Sequence, residues 1–314
     1  MGSNRGMDAI TTRALLDQGL SRHEISARVS AGTLRRLKRG HYLTSELKTE
    51  DHHLALARTM PGAILALETA ALVHDLPVEG VPDLVQTVVE GRGRSWRRQR
   101  REVRTIRLAE EDVASRDGLL HTSIPRTIVD IVRWRGLDAG LVTWEAAAWR
   151  ARTSGVLDEL EASVDAVIDR LEGHRGIGLA RRARDLASPW SQSPQETRSR
   201  LIMQRERLPM PVQQFEVRNA EGQLLGVSDF AWPERGLLGE YDGLDKYEYL
   251  ARPGESPLDV MRREKRRQES MEAEGYRFVR WGSEEVQRPV RLVARLRQAD
   301  LSPLLDATAG PKDP

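Results

Sequence analysis

A short stretch rich in serine and proline, Ser188 to Pro194, divides this 314-residue chain into two parts with different patterns of apolar residues. Before the stretch, apolar residues recur mainly at helical spacing. After it, one helical segment is followed by short segments with the pattern of strands. Because proline interrupts both helices and strands, the stretch predicts a domain boundary. The length also exceeds the usual size of one domain, so we expect a multidomain α+β protein.

The composition is that of a globular protein, with 39% hydrophobic and 31% charged residues. No apolar run approaches the roughly 20 residues of a membrane helix, and the polar start of the chain lacks the pattern of a secretion signal. We therefore expect a cytoplasmic protein without a membrane partner. There is no cysteine, and all seven histidines lie at or before His174, so a metal site beyond that residue must use oxygen ligands.

Residues 8 to 45 have the pattern of two short helices followed by a β-hairpin. Ser21 and Glu24 form a capping box at the start of the second helix, and two strands over 33–37 and 41–44 follow. An outward-facing recognition helix beside a basic wing is the arrangement with which a winged helix-turn-helix binds DNA. The candidate DNA-binding residues of this helix and wing are Arg22, His23, Arg28, Arg35, Arg36, Lys38 and Arg39. The alternative is a small helical module whose basic face is merely solvated.

The run TTRALLDQGLSRHEISARVSAGTLRRLKRGHYL resembles the N-terminal domain of the AbiEi-type antitoxins. The resemblance covers about the first 45 residues and implies a winged helix-turn-helix domain over 1–48. It also implies double-stranded DNA as one partner and a nucleotidyltransferase toxin as another.

Residues 49–187 predict a mainly helical connector domain with a short β element, formed by strands at Leu84–Glu90 and Val103–Arg107. Eight arginines lie between positions 92 and 107, where they would neutralise several DNA phosphates or form a solvated loop. Asp130 has apolar neighbours in a helix, which favours an internal hydrogen bond over a catalytic role. The helical segments are 52–60, 64–75, 125–134, 138–152, 156–172 and 176–187.

The last part of the chain carries acidic residues at the ends of predicted strands. A helix over Gln195–Leu208, capped by Ser193, projects Glu196 from its first turn. Strands are predicted at Phe215–Arg218, Leu224–Ala231 and Leu237–Tyr241. Side chains two apart on a strand share a face, so Glu240 and Asp242 would meet Asp229 if the last two strands pair.

Three carboxylates around one point are typical of a Mg²⁺ or Mn²⁺ site, so we predict Asp229, Glu240 and Asp242 as metal ligands. A lysine would orient the attacking water in phosphodiester hydrolysis, and Lys246, four residues beyond Asp242, is the nearest candidate. The generic nuclease pattern ends in Glu-x-Lys, but here Asp242 occupies the lysine position. Lys265 is the candidate for a relocated lysine.

Three runs, SPQETRSRL, LGVSDFAWPERGLLGEYDGLDKY and REKRRQESMEAEGYRFVRW, resemble a bacterial family of the PD-(D/E)XK fold related to very-short-patch-repair endonucleases. The resemblance covers about residues 191 to 286 and implies a restriction-endonuclease-like α/β domain over 191–305, followed by a disordered tail over 306–314. The catalytic residues that it implies are Glu196, Asp229, Glu240, Asp242 and Lys246. The phosphate-binding candidates are Lys265, Arg267 and Arg280.

Two functions follow from these patterns. The first is a Mg²⁺- or Mn²⁺-dependent DNA endonuclease in phage defence or DNA processing, acting alone or as a homodimer. The second is an antitoxin-like transcriptional autorepressor with a catalytically inactive nuclease fold.

Overall fold

The computed structural model describes residues 9–44, 49–91, 93–98, 100–243 and 256–301. They form two compact units whose boundary falls between Ala187 and Ser188, at the start of the serine- and proline-rich stretch. Each unit combines helices with a mixed sheet, so the chain is a multidomain α+β protein, as the sequence predicts. The predicted tail over 306–314 lies outside the described residues. In the part of the chain that is described, no helix is both long and apolar enough to span a membrane.

The first unit begins with two helices and a small antiparallel sheet. The capping box of Ser21 and Glu24 is confirmed at the start of the second helix. The sheet order is β1-β3-β2, and β1 was not predicted because two residues carry no periodic pattern. Lys38, predicted in the turn, belongs to the strand. The elements are β1 Ile10–Thr11, α1 Thr12–Asp17, α2 Arg22–Ser30, β2 Leu34–Lys38 and β3 His41–Thr44.

The rest of the first unit contains a six-stranded mixed sheet of order β6-β7-β5-β4-β9-β8. The two predicted strands correspond to β5 and β7, but four further strands were not predicted, because each of them is only two to four residues long. The first strand was assigned to a helix over 64–75, of which only the later residues are helical. The strands are β4 Ile64–Leu65, β5 Val85–Glu90, β6 Trp96–Arg98, β7 Arg101–Ile106, β8 Val113–Arg116 and β9 Leu119–Thr122.

Six helices accompany this sheet, and the apolar spacing predicted all of them within a few residues. The fifth helix of the chain, α5, is central, since it packs against α4, α6, α7 and α8. Its contact with α6 is close at Gly140, where a Cβ would lie 2.8 Å from the Val132 Cα. The helices are α3 Thr49–Arg58, α4 Leu67–Val73, α5 Ile124–Arg135, α6 Leu137–Thr153, α7 Leu157–Arg170 and α8 Ile177–Leu186.

A buried ion cluster, formed by Asp112, Arg126, Asp130 and Arg133, lies on α5 and the turn before β8. Arg126 donates from Nε to Asp130 and from Nη1 to Asp112, each at 2.7 Å. Arg133 donates from Nη1 to the other Asp130 oxygen at 2.8 Å. The predicted internal hydrogen bond of Asp130 is therefore confirmed. All four residues are at most 8% exposed, so the cluster holds α5 by charge-assisted bonds within the core.

His53 gives the first unit an acid-sensitive element. Its ring is 6% exposed and its Nε2 lies 2.8 Å from Thr69 Oγ1. Burial lowers the pKa of His53 from 6.5 to about 4. Above pH 6.5 the ring is neutral in both the folded and unfolded states. As the pH falls from 6.5 towards 4, the unfolded state takes up the proton first, so the folded state loses stability.

We expect the free energy of unfolding to fall by about 3 kcal/mol across this pH window through His53 alone, at about 1.4 kcal/mol per pKa unit. Burial also lowers the pKa of His74 to about 4, which adds to the effect. Urea denaturation at a series of pH values measures the slope. His53→Gln should make the fall shallower, and His23→Gln, at an exposed position, serves as the control. An unchanged slope in His53→Gln would contradict the assignment.

The second unit is a four-stranded sheet of order β10-β11-β12-β13 with helices on both faces. Only β12 and β13 are parallel, and α10 connects them. One face packs against α9 and α12 through Met203, Phe230 and Trp281, and the other face packs against α10 through Met271. The elements are α9 Pro194–Arg205, β10 Val212–Arg218, β11 Leu224–Trp232, β12 Leu237–Tyr241, α10 Pro257–Ala273, β13 Arg277–Trp281, α11 Ser283–Gln287 and α12 Pro289–Gln298.

Candidate functional sites

The outer side of α2 is the first candidate site. Ile25 is 3% exposed and packs into the core with Leu15, Leu34 and Tyr42, which fixes the rotation of the helix. The opposite side therefore faces solvent. The predicted contact residues on it, Arg22, His23 and Arg28, are all exposed.

The hairpin of β2 and β3 supplies further cations. Arg35, Arg36 and Arg39 are exposed, whereas Lys38 is half-buried and donates from Nζ to the Thr59 carbonyl at 2.9 Å. Lys38 therefore ties the hairpin to the rest of the first unit. The sequence grouped it with the DNA-binding residues, but the structure gives its ammonium group a partner within the fold.

Beside this hairpin lies a groove of about 1160 Å³ that extends to β7. Arg100 donates from Nη1 to the Leu37 carbonyl at 2.5 Å, which joins the arginine-rich segment to the hairpin. At the far end of that segment, Trp96 is 42% exposed with the Arg101 guanidinium 5.9 Å from its ring centroid. The basic surface of α2 and the hairpin thus continues onto β6 and β7. The cationic residues that line the groove are Lys38, Arg39, Arg100 and Arg101.

The acidic residues of the second unit meet across paired strands. In the antiparallel pair of β11 and β12, Phe230 lies opposite Gly239, so the next step of the register brings Asp229 opposite Glu240. Asp229 accepts a hydrogen bond from the Tyr241 backbone N–H at 3.0 Å. The pairing on which the sequence prediction of an acidic cluster depended is therefore present.

Two arginines contact the central carboxylate of this cluster. Arg267, on α10, donates from Nη2 to Glu240 Oε1 at 2.7 Å. Arg280, opposite Glu240 on β13, places Nη2 at 2.8 Å from Glu240 Oε2 and Nη1 at 3.5 Å from Asp242 Oδ2. Burial alone would lower the pKa of Arg267, but attraction to Glu240 and Glu264 together outweighs it and raises that pKa. Glu240 is 2% exposed, so the two guanidinium groups supply the positive charge that its burial requires.

These residues as arranged do not fit a divalent cation. Mg²⁺ needs carboxylate oxygens that are open to it, whereas both oxygens of Glu240 already contact guanidinium nitrogens. Among the described residues, no three acidic or histidine side chains converge in a way that would hold a metal ion. The charge of buried Glu240 is balanced by two arginines.

Glu196 is joined to the same region through Gln214. Gln214 is a non-glycine residue with a φ of 50°, an unusual conformation within a strand, and it falls opposite Asp229 in the register of β10 and β11. Its Nε2 lies 3.3 Å from Glu196 Oε2, and its Oε1 accepts from Gln192 Nε2 at 2.7 Å. Gln214 could not be predicted from the sequence, because no local pattern marks a positive φ at a residue other than glycine, asparagine or aspartate.

Lys265, one of the two predicted lysines, does not join this cluster. Lys265 has a side chain that is 78% exposed and lies 3.7 Å from Glu269 on the same helix. Lys246 lies outside the described residues. The residue of α10 that reaches Glu240 is Arg267, which was predicted as a phosphate-binding residue.

Comparison with known proteins finds relatives in Mycobacterium tuberculosis. The chain is 28% identical over 284 residues to uncharacterized protein MT2308 of strain CDC 1551 / Oshkosh and to uncharacterized protein Rv2248 of strain ATCC 25618 / H37Rv. The alignment covers 88% of this chain and 96% of each relative, so it spans both units. No family model matches the chain.

Proposed function

We propose that this protein binds duplex DNA through a winged helix-turn-helix over residues 9–44 and acts as an antitoxin-like transcriptional regulator. The observation that carries the proposal is the exposed cationic face of α2 beside a basic hairpin. In such a module the helix enters the major groove and the hairpin lies along the phosphate backbone. Arg22 and Arg28 would then read base edges, and Arg35, Arg36 and Arg39 would contact phosphates.

The arginine-rich segment of β6 and β7 would extend the backbone contact. Each lysine or arginine that neutralises a phosphate releases counterions, which strengthens binding at low salt and makes affinity dependent on salt. The groove between the hairpin and β7 is lined by cations of both segments. A duplex positioned by α2 would thus contact a basic surface larger than the hairpin.

For the second unit, the proposal is a restriction-endonuclease-like domain that does not cut DNA. In its acidic cluster, Arg267 and Arg280 form ion pairs with Glu240. Asp242 occupies the position at which the nuclease pattern has a lysine. In this proposal, the ion pairs of Glu240 with Arg267 and Arg280 hold α10 and β13 against β12. The domain then serves as a structural or partner-binding part of the regulator, with a nucleotidyltransferase toxin as the expected partner.

The test of DNA binding is an electrophoretic mobility shift with a duplex from upstream of the protein's own gene and an unrelated duplex of equal length. Arg22→Gln and Arg28→Gln should each weaken binding to the upstream duplex by about 1–3 kcal/mol. Arg36→Gln should weaken binding to both duplexes and lower the slope of log affinity against log salt by about one. The matched control is Arg181→Gln with Arg182→Gln, which removes two exposed arginines of α8.

Equal affinity of wild type and all variants would overturn the proposal. So would the absence of binding to either duplex at low salt.

The second arm of the test is a nicking assay. Supercoiled plasmid is incubated with the protein in Mg²⁺, Mn²⁺ or chelator, beside a Glu240→Ala variant. We expect binding without nicking in both proteins. Metal-dependent nicking that disappears in Glu240→Ala would instead establish the endonuclease and replace the regulatory proposal for the second unit.

A further inference from the structure

A cavity of about 560 Å³ lies in the first unit, away from α2 and the hairpin. It is at the carboxyl ends of the parallel strands β5 and β7, where Gly91 follows one strand and the segment from Arg107 to Ala109 follows the other. The remaining walls come from α5 and from the turn between α7 and α8. The carboxyl ends of neighbouring parallel strands are a common place for ligands in α/β sheets, and the volume falls within the range of small-molecule sites.

The lining of this cavity is strongly cationic. It includes five arginines and a single carboxylate, Asp112. Asp130 and Glu111 also form ion pairs with these arginines, which brings the carboxylates to three. The group therefore keeps an excess of two positive charges. The five arginines are Arg107, Arg126, Arg133, Arg170 and Arg175.

Asp112 does not make the cavity repulsive to anions, because both of its oxygens are engaged. Oδ2 accepts from Arg126 Nη1 at 2.7 Å, and Oδ1 accepts from Arg170 Nη2 at 2.6 Å. Oδ2 also caps the Ala109 backbone N–H at 3.0 Å. The carboxylate thus fixes two guanidinium groups in place.

Some guanidinium N–H donors of the cavity remain available to a ligand. The hydrogen bonds of Arg126 and Arg133 to described residues use only Nε and Nη1, which leaves Nη2 of each. Arg107 and Arg175 are exposed at the rim and have no carboxylate partner in the described ranges. Burial, with repulsion from Arg126, lowers the pKa of Arg133 although Asp130 acts in the opposite direction. An anion in the cavity would supply the missing compensation.

We propose that this cavity binds a small phosphorylated molecule, with its phosphate on the arginines. A phosphate monoester carries a charge of about −1.5 to −2 at neutral pH, which matches the excess of the lining. Guanidinium groups bind phosphate through paired hydrogen bonds. The wall also includes Ile106, Leu108, Leu171 and Trp134, which suits an organic part attached to the phosphate. Inorganic phosphate alone would contact only the cationic part of the cavity and not its apolar wall.

The test is isothermal titration calorimetry of the full chain with AMP, ribose 5-phosphate, inorganic phosphate and adenosine. We expect both phosphate esters to bind, inorganic phosphate to bind more weakly, and adenosine not to bind. Arg107→Gln combined with Arg175→Gln should weaken AMP binding about tenfold or more, as expected for lost charge-assisted hydrogen bonds. Both positions are exposed, so the double variant should remain folded.

The matched control is Arg181→Gln with Arg182→Gln, two exposed arginines outside the cavity, which should leave AMP binding unchanged. The proposal is overturned if no phosphate ester binds, if adenosine binds as well as AMP, or if both double variants weaken binding equally. The proposal does not depend on DNA binding. Arg175→Gln alone, which lies outside the arginine-rich segment, should weaken AMP binding and leave the mobility shift of the duplex from upstream of the gene unchanged.

Discussion

Replacing Arg126 by alanine is expected to destabilise the first unit by about 3–5 kcal/mol. Arg126 is 2% exposed and lies between Asp112 and Asp130, which are also 2% exposed. Burial alone would lower the pKa of Arg126, but its attraction to Asp130 and Asp112 outweighs burial and raises that pKa. Removal of the guanidinium leaves two carboxylates in the core with less positive charge, and an uncompensated buried charge is far more costly than a lost surface pair.

Urea denaturation gives the change in the free energy of unfolding, and hydrogen exchange along α5 assigns the loss to the first unit. The matched control is Arg181→Ala, which removes the ion pair with Glu172. The two side chains of that pair are 49% and 73% exposed, so the control should change stability by less than about 1 kcal/mol. Arg126→Lys keeps the charge but not the paired geometry, so its loss of stability should lie between those of Arg126→Ala and Arg181→Ala. Equal stability of Arg126→Ala and the control would contradict the role assigned to the buried ion cluster.

Some features of the fold could be predicted from sequence because their signals are local. The capping box of Ser21 and Glu24 needs only a spacing of three residues, and the structure contains it. The start of α9 was predicted from Ser193 and Pro194 for the same reason. Strands β11 and β12 are long enough for their apolar pattern to be visible. Because both end near acids, the predicted acidic cluster depended on their pairing.

Other features depend on contacts between distant residues. Strand β4 has two residues and is defined only by its neighbours β5 and β9, so its sequence could not separate it from the helix that follows. The site in the second unit shows the same limit. Arg280 reaches Glu240 because β12 and β13 pair in parallel, 40 residues apart in sequence. The acids of the site were visible in the sequence, but Arg267 and Arg280 were predicted only as phosphate-binding residues and not as ion-pair partners of those acids.

Replacing Glu240 by glutamine is expected to destabilise the second unit by about 3 kcal/mol, the lower end of the range for a broken buried pair. Glutamine keeps the size and the hydrogen-bonding capacity but removes the charge between Arg267 and Arg280. The two arginine side chains are 19% and 34% exposed, so water can solvate part of the charge left behind. Arg267 also keeps its contact with Glu264 at 3.0 Å, which limits the loss further.

The coupling is measured by a double-mutant cycle that uses Glu240→Gln, Arg280→Gln and the double variant. If the ion pair between Glu240 and Arg280 holds β13 to β12, the double variant should lose less free energy of unfolding than the two single variants lose in sum. Additive losses would mean that Glu240 and Arg280 act independently, which would remove the physical basis for the neutralised cluster.

The same variants decide between arginine and metal as the partner of Glu240. A cation that binds the folded state stabilises it in proportion to the logarithm of its concentration. If the guanidinium groups already occupy Glu240, Mn²⁺ should leave the urea midpoint of the wild type unchanged. Arg267→Ala with Arg280→Ala would uncover the acids, and Mn²⁺ should then raise its midpoint. If Mn²⁺ stabilises the wild type but not Glu240→Gln, a metal ion displaces the arginines from Glu240. The metal-dependent nuclease would then be the better proposal for this unit.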